Sequence, residues 1–137
     1  MHRIYPSQFC SEVCLKVITT SLDEYFKDDE LSDKISFIKM DVEGSELSVL
    51  KGMKNIFERN KKLKILMEFV PSCIKEFGAQ PQELIKILQD EGFNFRHTND
   101  DSETIESVKN IENFLQKFDG DKTDFKPKGT NLICERE

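Results

Sequence analysis

FIKMDVEGSELSVL, residues 37–50, runs from an apolar stretch into three acidic residues set around one glycine, then returns to apolar residues at helical spacing. ISFIKMD, residues 35–41, is apolar almost without interruption, which predicts a strand buried on both faces. Gly44 permits a tight turn after it, and Ser45 is placed to cap a helix. SELSVLKGMKNIFERN, residues 45–60, then carries Leu47, Leu50, Met53 and Phe57 on one stripe, widened by Val49 and Ile56, which predicts one amphipathic helix. A strand that turns directly into a helix is the opening of a βαβ unit.

The flanking sequence repeats that pattern. LKILMEFV, residues 63–70, reads as a strand closed by Pro71, and PQELIKILQDEG, residues 81–92, as a helix with Pro81 in its first turn and Gly92 past its end. Upstream, VCLKVIT, residues 13–19, is strand-like, and SLDEYFKDDEL, residues 21–31, opens a short helix with a capping box at Ser21 and Glu24. Downstream, FNFRH (93–97) and TNLICE (130–135) read as strands. Between them Ile105, Val108, Ile111, Leu115 and Phe118 keep helical period, and FDGDKTDFKPKG, residues 118–129, has loop composition. The expectation is one α/β domain over residues 1–137: a lead-in and strand (1–20), a βαβ core (21–97), an insertion with a helix (98–129) and a last strand (130–137).

Composition narrows the function. A net charge of -6 opposes a phosphate-tracking surface, so nucleic acid is not an expected partner. The first residues have no apolar core of signal-peptide length, and no apolar segment approaches membrane-spanning length, so a cytoplasmic location is expected. Cys10, Cys14, Cys73 and Cys134 lack metal-ligand spacing and read as reduced thiols.

Asp41 lies at the carboxyl end of one expected strand and Glu68 near that of the next, the rim where open α/β sheets bind ligands. A structural reading stands beside this one, because carboxylates in a first helical turn are stabilised by the helix amino terminus. Spacing removes several alternatives. An EF-hand loop starting at Asp41 would need its glycine at the sixth position, where Gly44 is the fourth. The glycines fall at 44, 52, 78, 92, 120 and 129, so no Gly-x-Gly exists to cradle a nucleotide. With His2 and His97 alone, a Ser-His or Cys-His pair has little support, and His97 reads as a strand or loop residue.

IKMDVEGSELSVLKGM resembles the hallmark of the FkbM family of S-adenosylmethionine-dependent methyltransferases, a strand ending in Ile-Lys-x-Asp-Val-Glu-Gly-x-Glu that runs into a helix with Leu-Lys-Gly. VITTSLDEYF upstream is similar to that family's Thr-Leu-Asp segment, and ILMEFVP downstream to its Ile-Leu-x-Glu strand and proline. The likeness is close over residues 17–71 and looser in PQELIKILQDEGFNF and TNLICE. It implies a Rossmann-like class I methyltransferase sheet of which this chain holds the second half. Residues 35–41 would be the fourth strand, 63–70 the fifth, 93–97 the sixth and 130–135 an antiparallel seventh. The amino-terminal, Gly-rich half that grips the cofactor would be missing, leaving an unpaired apolar edge to be covered by residues 1–20 or by dimerisation.

The resemblance also implies a chemistry. A hydroxyl of a small molecule, sugar or lipid would attack the sulfonium methyl of S-adenosylmethionine, with Asp41 as the base, Glu43 orienting the acceptor or tuning Asp41, and Glu68 contributing from the next strand. Asp41 and Val42 would touch the cofactor. In a second version, placed below the first, Asp41, Glu43 and Glu68 hold magnesium on the acceptor oxygen. Other readings stand beside these: a split enzyme completed by a separately encoded amino-terminal half, an inactive fragment or interaction module, and a metal- or ligand-binding α/β domain.

Overall fold

The computed structural model describes residues 17–99, 102–119 and 128–136. Among these residues five strands form one mixed sheet in the order β1-β2-β5-β3-β4: β1 Phe37–Met40, β2 Lys64–Phe69, β3 Asn94–Asn99, β4 Thr104–Ser107 and β5 Thr130–Glu135. β1 and β2 are parallel, β5 runs antiparallel between β2 and β3, and β4 closes a hairpin on β3. The strands expected at 63–70, 93–97 and 130–135 are therefore present, and the last is inserted antiparallel. Gly129 leads into it because a Cβ there would meet Val70 Cγ2 at 2.6 Å.

Alternation along the strands sorts the sheet into a packed and an open face. Met40, Ile65, Met67, Phe69, Phe95, Leu132 and Cys134 are buried. They pack in one core with Leu47, Leu50, Ile56 and Phe57 from the helices that follow β1, and with Leu84, Ile85 and Leu88 from α5 (Pro81–Asp90). The opposite face carries Phe37, Lys39, Lys64, Glu68, Asn94, Arg96 and Asn131, all exposed. This corrects the expectation that residues 35–41 are buried on both faces. Among the described residues β1 ends the sheet and Phe37 is 57% exposed, because the apolar run has no layer over its second face.

The helix expected over 45–60 is two helices, α2 (Glu46–Lys51) and α3 (Lys54–Arg59). The break comes from α1 (Leu22–Tyr25), whose Asp23 donates its N–H to Gly52 O at 2.9 Å and accepts the N–H groups of Asn55 and Ile56 at 3.1 and 3.2 Å. Asp23 thus caps α3 from a distance, satisfying donors that would otherwise be orphaned. The Ser21 cap of α1 is formed, its Oγ accepting from Glu24 N.

A helix absent from the sequence reading, α4 (Pro71–Glu76), starts on the proline that closes β2. The expected long helix through Ile105 to Phe118 is also corrected. Its first part is β4, with Ile105 opposite Thr98, and only Ile111–Phe118 forms a helix, α6. Ile105 is 54% exposed, so its place in the apolar period had no core contact behind it. Of the strand expected at 13–19, residues 13–16 lie outside the described residues and 17–19 form no strand. The loop expected at 118–129 lies largely outside them too.

His97, in β3, is 5% exposed between the rings of Phe114 and Phe118, with Nδ1 2.8 Å from Thr98 O. It lies in a strand, one of the two places the sequence reading allowed, and its ring packs in the core. Cys73 and Cys134 are buried thiols, and burial pushes the Cys134 pKa far up. Cys10 and Cys14 lie outside the described residues. No helix among the described residues is long and apolar enough to cross a membrane.

Candidate functional site

Parallel register builds the acidic corner. Met40 pairs with Met67, so the next residues on each strand, Asp41 and Glu68, leave the sheet side by side on its open face. Glu43 joins them from the turn between β1 and α2, and one carboxylate oxygen from each of the three lies within 4.8 Å of the others. Asp41 and Glu68 are exposed, while Glu43 is half-buried.

The turn is shaped for this arrangement. Glu43 has φ 54° and Gly44 φ 103°, so two successive residues occupy the left-handed region. Gly44 adopts it freely, whereas Glu43 holds it at a cost of about 1 kcal/mol or more. Ser45 was expected to cap α2 with its side chain. Instead its Oγ donates backward to Val42 O at 2.8 Å, which tightens the turn.

Like charges now act on one another. Burial and the carboxylates of Asp41, Glu43 and Glu46 raise the pKa of Glu68, and the Asp41 side chain is within hydrogen-bonding reach of it. Lys39 answers part of this charge from the surface, with Nζ 3.0 Å from Asp41 Oδ2. The sequence reading has Glu43 tuning Asp41; the carboxyl that the crowding raises is Glu68.

Glu46 is the residue that sequence reasoning saw without giving a role. It is 2% exposed, its Oε1 accepts the Gly44 N–H at 3.1 Å, and its Oε2 is buried with no hydrogen-bond partner among the described residues. The signal was the last Glu of the Glu-Gly-x-Glu pattern, but a first-turn glutamate reads equally well as a solvated helix start.

Val42, expected to touch a cofactor, is half-buried and lines a groove of about 560 Å³ with Ile38, Met40, Ser45 and Val49. Thr19, Thr20, Ser21 and Leu22 form its other wall. Asp41 stands at the end of the strand that floors this groove.

The Methyltransferase FkbM domain matches residues 10–95, which covers the sheet edge, the acidic turn and both parallel strands. The chain belongs to the FkbM methyltransferase family. Its matched region includes Asp41, Val42, Glu43, Glu46 and Glu68, and it reaches into β3. Comparison with curated proteins gives no match, and neither does comparison with solved structures.

Proposed function

We propose that this FkbM-family chain takes part in S-adenosylmethionine-dependent O-methylation of a hydroxyl on a small molecule, sugar or lipid. The observation that carries the reading is the meeting of Asp41, Glu43 and Glu68 at the carboxyl ends of two parallel strands, within the region that matches the family. Carboxylates there have two uses: they attract the cationic sulfonium end of the cofactor, and one can accept the proton that an attacking hydroxyl loses.

S-adenosylmethionine supplies an activated methyl group bound to a sulfonium. The residues present fit its reacting end and the wall beside it, through the acidic corner and the groove lined by Val42. They do not supply a glycine turn for its methionine end, since the sequence has no Gly-x-Gly. We therefore assign that turn to residues outside this sequence, in a longer chain or a separately encoded half. The unpaired β1 edge among the described residues is where such a half-sheet would add.

Within the completed site, Asp41 takes the acceptor's proton and Glu43 orients the acceptor from the rigid turn. Burial and the neighbouring carboxylates raise the proton affinity of Glu68, which leaves a carboxyl beside Asp41 able to hold a proton. The buried thiols suit a reducing cytoplasmic setting.

Calorimetric titration with S-adenosylmethionine tests the reading. The chain alone is expected to bind weakly or not at all, and addition of a glycine-turn half to restore binding and transfer of labelled methyl to a hydroxyl. Micromolar binding by residues 1–137 alone would remove the need for a second half. A completed form that binds cofactor but methylates nitrogen or carbon would sink the O-methylation reading.

A further inference from the structure

We propose that the amino end of β2 carries a binding site for the phosphate group of a small soluble molecule, built from Lys64, Arg96, Lys109 and Arg136. The site stands apart from the acidic corner and does not rest on methyl transfer.

Strand register places it. Lys64 lies opposite Glu135 across β2 and β5, and Glu135 lies opposite Asn94 across β5 and β3. Lys64, Glu135, Asn94 and Arg96 therefore leave the sheet on its open face, at the end away from Asp41. A rise of about 3.3 Å per residue sets Lys64 about 13 Å from Glu68 along β2. Together with Lys109, which follows β4, and Arg136, which follows β5, these residues line one groove of about 610 Å³. That volume is in the range of small-molecule sites.

The charge of the groove runs against that of the chain. The protein carries a net charge of -6, yet the residues lining the groove include four cations and one carboxylate. Arg136 is a fixed charge in its wall. The side chain is 7% exposed, its guanidinium donates to Phe57 O and to Glu91, which answers part of the charge, and it lies over the ring of Phe93. Lys109 is exposed and has no ion pair among the described residues.

The second observation is Glu135, which shows how the groove holds an anion. Lys64 Nζ is 3.0 Å from Oε1 and Arg96 binds Oε2, so cations from two strands converge on one anionic group. Lys64 and Arg96 are 58% and 44% exposed, which leaves both heads free to turn to a ligand from solvent. A phosphate monoester brings about two negative charges and three acceptor oxygens, against one charge and two oxygens on Glu135. A guanidinium pairs with two phosphate oxygens at once, and Lys109 adds a third accessible cation. Asn94 and Ser107 supply neutral donors from the same groove. An extended polyanion is disfavoured, because the rest of the chain repels it.

Calorimetric titration of inorganic phosphate and of pyrophosphate into the full chain at low ionic strength tests the site. One saturable site is expected, with a dissociation constant of about 10⁻⁴ M for pyrophosphate. Lys64→Met and Arg96→Gln, at exposed positions, should each weaken binding about tenfold without changing the circular dichroism spectrum. Glu135→Gln should tighten binding several-fold, since it removes the competing carboxylate and leaves both cations in place. Lys27→Met removes the same charge from a lysine outside the groove, paired with Glu24, and should leave binding as it was.

Unsaturable uptake, indifference to Lys64→Met and Arg96→Gln, an equal loss in Lys27→Met, or a Glu135→Gln variant that binds no more tightly would each overturn the proposal. So would binding to vesicles of phosphatidylcholine with phosphatidic acid but to neither soluble probe. Saturable phosphate binding by a chain that fails to methylate when completed would leave this site standing and sink only the O-methylation reading.

Discussion

At the amino end of β2, Glu135 accepts from Lys64 and Arg96 on the two neighbouring strands, and those cations hold its carboxyl below the usual glutamate range. At the other end of the same strand, Glu68 meets Asp41, Glu43 and Glu46, and its pKa moves the opposite way. Two buried charged groups are each satisfied in part. Arg136 donates to Phe57 O at 2.8 Å and Glu91 at 3.2 Å while lying 4.3 Å over the ring of Phe93. Arg136 Nε and Glu46 Oε2 are each buried with no hydrogen-bond partner among the described residues. Unlike neighbours neutralise Glu135, whereas Glu68 is crowded against its own kind, the arrangement that marks a candidate functional site.

The sharpest way to break this contrast is Asp41→Asn in a completed enzyme. Methyl transfer should fall by about 10²-fold or more, with thermal stability nearly unchanged, because the carboxylate's work is chemical. Full turnover in that variant would remove Asp41 from the mechanism. The counterpart at the paired end is Arg136→Ala. It should cost about 2–3 kcal/mol in urea unfolding by leaving Glu91 and the Phe57 carbonyl less well satisfied and the Phe93 ring bare. A loss below a few tenths would mean that the stacked guanidinium contributes little.

Two small substitutions should then shift stability in opposite directions. Glu135 has a lowered pKa in the fold, so its contribution is present above its unfolded value and is lost as pH falls through the folded one. Glu135→Gln should therefore lower the melting temperature at neutral pH by about 1–3 °C, and the deficit should vanish in acid. Glu68 has a raised pKa, so its ionisation destabilises the fold as pH rises from the unfolded value through the folded one. Glu68→Gln, measured with a chelator present, should raise the melting temperature at neutral pH by about 1–2 °C, with no difference in acid. Equal signs for the two variants would erase the contrast between the ends.

Much of this was written in local sequence. The apolar runs at 35–41 and 63–70 each become a strand, Pro81 and Gly92 bracket α5, and the strand ends put Asp41 and Glu68 on one rim. Periodicity misled where a distant partner decided the outcome. The stripe from Leu47 to Phe57 is continuous, yet Asp23 breaks it at Gly52 by capping α3. Ile105 keeps helical spacing with Ile111, but pairing with Thr98 makes it a strand residue. The apolar run in β1 could not reveal that no layer among the described residues covers its second face, since burial is a property of neighbours. For Glu46 the residue type was visible, but its burial and unpaired oxygen arise only when the turn closes.

The place of β5 has a consequence for the order of assembly. β2 and β3 never touch each other through backbone pairing; each waits for residues 130–135 to arrive between them. During synthesis, both parallel strands and the β3–β4 hairpin emerge before the strand that joins them, so two sheet fragments must persist with open edges until that late segment leaves the ribosome. The long sequence separation between β2 and β5 makes this a slow closure, and it gives a chaperone or a partner half-sheet a time window in which to engage the nascent edges.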